Sequence, residues 1–187
     1  MKKIFLLLVF LMSSTFSFAQ NVSKDKTEED GSRVILSLVQ NLYSKWSTAA
    51  AFYLAYMRSA NGSEEWSLEI ILNEGKDTID KGRKMLIKTE DGEMFVLENN
   101  KEIGPADYEF EVTRHGYTIY YLRPSYLLSE EQLRKLCSSN IIKIRIETDN
   151  SSFDRDINPK KFSKAINKMY QAINSAKSVE NTIYDDF

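Results

Sequence analysis

The stretch Lys84-Met85-Leu86-Ile87-Lys88-Thr89-Glu90-Asp91-Gly92-Glu93-Met94-Phe95-Val96-Leu97-Glu98 decides the fold class. Two strand-like runs flank Asp91-Gly92, the strongest short-range signal for a β-hairpin. A two-residue turn there sets Ile87 opposite Val96 and Thr89 opposite Met94, giving an apolar face. Strands joined so tightly are antiparallel.

Working outward, a second hairpin follows. Tyr108, Phe110 and Val112 alternate with Glu109, Glu111 and Thr113, and Tyr117, Ile119 and Tyr121 alternate with Thr118, Tyr120 and Leu122. A turn at His115-Gly116 sets Val112 opposite Ile119 and Phe110 opposite Tyr121, with Tyr120 outward opposite Glu111. Upstream, residues 52–58 and 65–72 read as strands broken by Asn61-Gly62. Downstream, residues 141–148 form a strand with Ile142, Ile144 and Ile146 on one side and Lys143, Arg145 and Glu147 on the other.

Three segments read as helices. Ile35, Leu38, Val39, Leu42 and Trp46 fall at helical spacing after Ser32. Ser129-Glu130-Glu131-Gln132 is a capping box that starts a short helix carrying Leu133, Leu136 and Cys137 inward. Asn158 caps a last helix with Pro159 in its first turn, and Phe162, Ala165, Ile166, Met169, Ile173 and Ala176 form its apolar stripe. The expected architecture is α+β: an antiparallel sheet of six to eight strands, with helices at the N- and C-terminal ends packed on one face.

The first residues read as an address rather than as fold. Lys2 and Lys3 precede an apolar run, and Ser17 and Ala19 stand at −3 and −1 of a cleavage site, so residues 1–19 form a secretory signal. The run is too short to span ~30 Å of hydrocarbon, and no later stretch is longer and as apolar, so no transmembrane segment is expected after cleavage. Cleavage takes the formal charge from −2 to −4. Residues 20–32 read as a flexible leader, 33–177 as one α+β domain and 178–187 as a mobile tail. The expected location is the periplasm or the cell exterior.

The 187 residues hold one Cys and one His. That excludes an internal disulfide and any site needing two imidazoles, most zinc-enzyme ligand sets included. The small net charge does not point to nucleic acid, and no motif points to a cofactor. His115 reads as a turn residue and Cys137 as a small buried hydrophobe. Asp149, Asp154 and Asp156 form a weak candidate metal loop. It opens like a calcium loop, but Pro159 stands where Gly is needed and Ala165 where the bidentate Glu belongs, so a polar loop over 149–156 is the better reading. Lys160, Lys164 and Lys168 recur every four residues, with Lys161 beside them. They would form a basic strip, joined by Lys143 and Arg145 if the surfaces adjoin. Those near the helix start sit where the macrodipole disfavours cations, a hint of function. Tyr120 is the aromatic residue most open to a partner or a sugar.

The signal and the stretch Tyr126, Ser129-Glu130-Glu131-Gln132-Leu133, Ile142-Lys143-Ile144-Arg145-Ile146-Glu147 resemble small, uncharacterised exported proteins of the Bacteroidota. The resemblance implies a bacterial envelope setting and no activity. Asp77-Thr78-Ile79 is similar to an O-glycosylation acceptor of that group. The expected function is an exported, non-enzymatic binding or interaction module for an envelope protein or glycan. Its expected surface comprises Tyr120, Glu111, Lys143, Arg145, Lys160, Lys164 and Lys168. The alternatives are a small exported hydrolase using a carboxylate pair and a calcium-dependent adhesin.

Overall fold

A computed structural model describes residues 22–45, 48–73, 77–116 and 118–184. The expected signal, residues 1–19, lies outside them. The strands are β1 (Val22–Thr27), β2 (Arg33–Ser37), β3 (Gln40–Lys45), β4 (Thr48–Arg58), β5 (Glu64–Leu72), β6 (Lys84–Thr89), β7 (Met94–Glu98), β8 (Glu109–Val112), β9 (Thr118–Tyr121), β10 (Ser125–Leu128), β11 (Ile141–Glu147) and β12 (Ser152–Asp156). The helices are α1 (Glu130–Ser138) and α2 (Pro159–Tyr184). All pairings are antiparallel. The class is therefore α+β, but three sheets replace the expected one: β1-β2-β4-β5-β10 with β3 also on β4, β12-β11-β6-β7, and the β8-β9 ribbon.

The hairpins share one loop design, and it corrects both expected registers. Gly31, Gly62, Gly92 and Gly116 each adopt positive φ and donate their N–H to the carbonyl three residues back. Gly92 (φ 91°) closes the loop Glu90-Asp91-Gly92, while the Thr89 N–H bonds the Glu93 carbonyl at 3.0 Å. This is a three-residue loop ending in a left-handed residue, not the two-residue turn. The extra residue slips the pairing by one, which exchanges the faces. Ile87 lies opposite Phe95 and Leu86 opposite Val96, so Phe95 and Leu97 are buried and Met94 and Val96 exposed. The same slip puts Phe110 opposite Tyr120 and Glu111 opposite Ile119.

Residues expected as a helix after Ser32 are instead β2 and β3, which lie end to end along β4. Between them the chain kinks at Leu38-Val39. At the kink the buried Ser37 hydroxyl accepts the Leu54 N–H at 3.0 Å. The kink breaks strand alternation, and this produces the apparent helical spacing. The expected leader also folds in part. β1 pairs with β2, and Asp25 takes the Arg33 guanidinium through two bonds of 2.9 and 2.8 Å. The expected polar loop over 149–156 contains β12, whose Phe153 is buried. A bulge in β11 between Ile141 and Lys143 buries Ile141 and Ile144 together, so Ile142 does not share their face. The expected tail continues α2 as far as Tyr184.

Both helices start as expected. Ser129 and Gln132 close the capping box, at 3.1 and 2.9 Å, and Leu133 and Leu136 are buried. Helix α2 packs against β1, β2 and β4 of one sheet and β11 of the other. Its Phe162, Ile166, Met169, Tyr170 and Ile173 join the core. Phe162 stacks on Phe52 with centroids 4.7 Å apart, and Tyr170 reaches Trp66 at 5.4 Å. The Arg33 guanidinium also donates to the Ala176 carbonyl at 3.0 Å. The Lys177 ammonium lies 4.1 Å over the Tyr56 ring and 2.8 Å from Glu64.

Two substitutions test this frame by urea denaturation. Ile166→Ala removes a fully buried side chain from the apolar stripe of α2 and should cost about 3 kcal/mol. Gly92→Ala forces Cβ into the left-handed region and should cost about 1–2 kcal/mol. A Gly92→Ala variant as stable as the parent would contradict the loop geometry.

Candidate functional site

The chain's charge is segregated. Residues 157–179 contain five lysines and no acid, and residues 31–63 also contain none of the 27 acidic residues. These stretches form the two walls of one groove of about 200 Å³. Gln40, Asn41 and Leu42 of β3 and Phe52 of β4 make one wall; Lys161, Phe162, Lys164, Ala165 and Lys168 of α2 make the other, with Ile157 also lining it. A shallower extension runs past Leu38, Gln40 and Met169.

The local sequence explains this shape. Phe52 and Phe162 are buried and form an apolar floor. Ala165 is small, so α2 leaves space where a larger residue would fill it. Lys161, Lys164 and Lys168 lie one helical turn apart around Ala165. The same helix pairs Lys177 with Glu64. Lys160, Lys161, Lys164 and Lys168 make no ion pair with a described residue. Lys160 and Lys161 occupy the first turn, which holds no acid, where the macrodipole disfavours each by roughly 0.3–1 kcal/mol. Nothing about helix stability calls for cations there. Their arrangement suits an anion whose apolar part enters the groove.

The other sequence candidates are not part of this site. Lys143 and Arg145 share one carboxylate, Asp154, at 3.3 and 2.7 Å. They leave β11 on the side opposite Ile144 and Ile146, which face the core that α2 shares. They therefore do not join the helix strip. Arg145 and Lys143 hold the Asp154 carboxyl below its ordinary range, Arg145 being the larger influence. Tyr120 and Glu111 stand on opposite faces of the ribbon. Tyr120 lies 6.0 Å from the Tyr108 ring and 6.5 Å from Phe110, while Glu111 accepts the Tyr121 hydroxyl at 3.1 Å. His115 is exposed in the ribbon's loop. Burial pushes the Cys137 thiol up to about 11, far from a reactive thiolate.

Asp149, offered as a cation ligand, is committed elsewhere. It accepts the Arg83 Nε–H at 2.7 Å and the Thr78 hydroxyl at 2.5 Å. Among the described residues no group of three His, Cys, Asp or Glu could hold a metal ion. The triplet Asp77-Thr78-Ile79 is built into the same corner. Ile79 is in the core. Asp77 accepts the Thr78 N–H and the Thr148 hydroxyl, at 2.8 and 2.6 Å, and the Asn150 amide and Ser151 hydroxyl, at 2.7 and 3.0 Å. Burial alone would raise its pKa, but these donors outweigh it and hold the carboxyl low.

The sequence pattern marked Lys160, Lys164 and Lys168 but missed the groove's other wall, because residues 38–42 were assigned to a helix. The readable signal was the absence of acids from both stretches.

Asp77 carries a pH prediction. Its folded pKa lies below the unfolded value of about 3.9, so its contribution is complete above that pH and is lost as pH falls through the folded value. Asp77→Asn should therefore cost about 2 kcal/mol near neutrality, and the difference from the parent should shrink as pH falls below the unfolded value. Urea midpoints at both conditions measure this; an equal gap at both would rule out the charged role.

No known protein family, curated protein or solved structure matches the chain.

Proposed function

We propose that the chain is an exported, non-enzymatic binding module of the bacterial envelope that holds a small amphiphilic anion in the groove between β3 and α2. The observation that carries this reading is the pairing of an apolar floor, Phe52 and Phe162, with Lys161, Lys164 and Lys168 on one wall. An apolar cavity of about 150 Å³ is enough to take a benzene ring. A groove of about 200 Å³ therefore suits a ring or a short acyl segment. Export rests on Lys2, Lys3 and the apolar run after them.

Hydrolysis by a carboxylate pair draws less support. A general acid needs a raised pKa. The described carboxylates whose pKa is displaced are all displaced downward. No carboxylate is among the residues lining the groove.

Calorimetric titration with octanoate and with octanol tests the reading. Octanoate should bind more tightly than octanol. Replacing Lys164 and Lys168 by Glu should weaken octanoate by about tenfold or more while leaving octanol unchanged, tenfold being about 1.4 kcal/mol. Ala165→Phe, which fills the groove without altering charge, should abolish both. Equal binding of octanoate by parent and charge-reversed protein would overturn the proposal.

A further inference from the structure

The groove opens beside the kink between β2 and β3, and the kink puts two aliphatic side chains into solvent. Leu38 is 38% exposed and Val39 49%. Neither is at a frayed end. Ser37, directly before them, is fully buried, and its hydroxyl accepts the Leu54 N–H at 3.0 Å. β3 resumes pairing with β4 directly after them. The chain therefore holds Leu38-Val39 outward on a rigid support. Leu38 lines the shallow end of the groove together with Lys168 and Met169. Lys160, Lys161 and Lys164 continue along the same helix, and neither wall carries an acid between residues 31–63 or 157–179. The acid nearest in sequence to the lysine strip is Asp156, exposed at the end of β12.

We infer that this face, Leu38 and Val39 with Lys160, Lys161, Lys164 and Lys168, docks on an anionic lipid bilayer. The inference goes beyond the groove reading by naming the surface from which an acyl chain would enter. The chemistry favours a bilayer over other anionic surfaces. A nucleic acid or other soluble polyanion would use the lysines but not a held aliphatic tip. Reversible membrane attachment takes two modest signals together, a short apolar insertion and a polybasic patch. A chain with formal charge −2 is not drawn to an anionic surface by its total charge, so the attraction must come from a segregated patch. Each lysine near such a surface adds to the affinity, and the effect is screened within a Debye length.

The experiment is flotation of the chain from Gln20 onward, which lacks the apolar run of the expected signal, with vesicles of phosphatidylcholine alone or containing phosphatidylglycerol, alongside the octanoate titration. The chain should float only with phosphatidylglycerol present, and less as salt rises. Lys164→Glu with Lys168→Glu should reduce the partition constant by at least roughly 30-fold, about 1 kcal/mol for each lysine lost. Val39→Asp, at the tip residue that does not line the groove, should cut flotation at least tenfold while leaving octanoate affinity and circular dichroism as in the parent. Equal flotation with neutral vesicles would overturn the inference. So would charge-reversal loss without loss in the Val39→Asp variant, which would assign the face to a polyanion. Octanoate binding without flotation would overturn the docking face and leave the groove reading standing. Flotation that depends on Val39, without octanoate binding, would support the docking face and remove the groove reading.

Discussion

Two sheets in this chain close on one helix. Each sheet has an apolar face that it cannot bury alone, and the stripe Phe162, Ile166, Met169, Tyr170 and Ile173 of α2 serves both. A helix claimed from two sides cannot rotate about its axis without exposing one of them. Arg33 reaches the Ala176 carbonyl and Lys177 sits over Tyr56, which fix the far half of the helix in the same orientation. The direction in which Lys160, Lys161, Lys164 and Lys168 point thus follows from packing elsewhere. The groove likewise follows from α2 meeting β3 and β4 where Ala165 leaves room.

The near-neutral total conceals this arrangement. Positive charge gathers along the first half of α2, and the strands opposite it carry no acid. The helix gains nothing from its N-terminal cations. Several acids bond within the fold: Asp77 ties four donors of one corner, Asp149 holds Arg83, and Asp154 holds Lys143 and Arg145. Lys143 and Arg145 of β11 are neutralised close to home, whereas Lys160, Lys161, Lys164 and Lys168 of α2 are left to solvent or to a ligand. That contrast gives the candidate site its chemistry.

Much of the fold was legible, for local reasons. Asp-Gly, Asn-Gly and His-Gly mark turns because glycine takes positive φ freely, and the capping box at Ser129 is a self-contained hydrogen-bond exchange. Register was not legible, because the same dipeptide serves both two- and three-residue loops. β1 was hidden by polar residues on both faces, and β12 by its charges, of which only Phe153 signals a core. Residues 33–45 deceived through the kink. Strand alternation interrupted once, at Leu38-Val39, leaves apolar residues at helical intervals. The lysine strip was visible for the converse reason, since α2 is a true helix. Its partner wall lay within the misassigned segment.

The shared loop design also separates what the loops specify from what the strands specify. Opposed residues of an antiparallel pair point to the same side, so Phe95 and Leu97 stay inward as long as they face Ile87 and Met85. The faces are lost only when one strand slides past the other by a residue. Over generations these loops can therefore exchange residues around their glycine, while the buried partners of β6 and β7 hold the two strands in step.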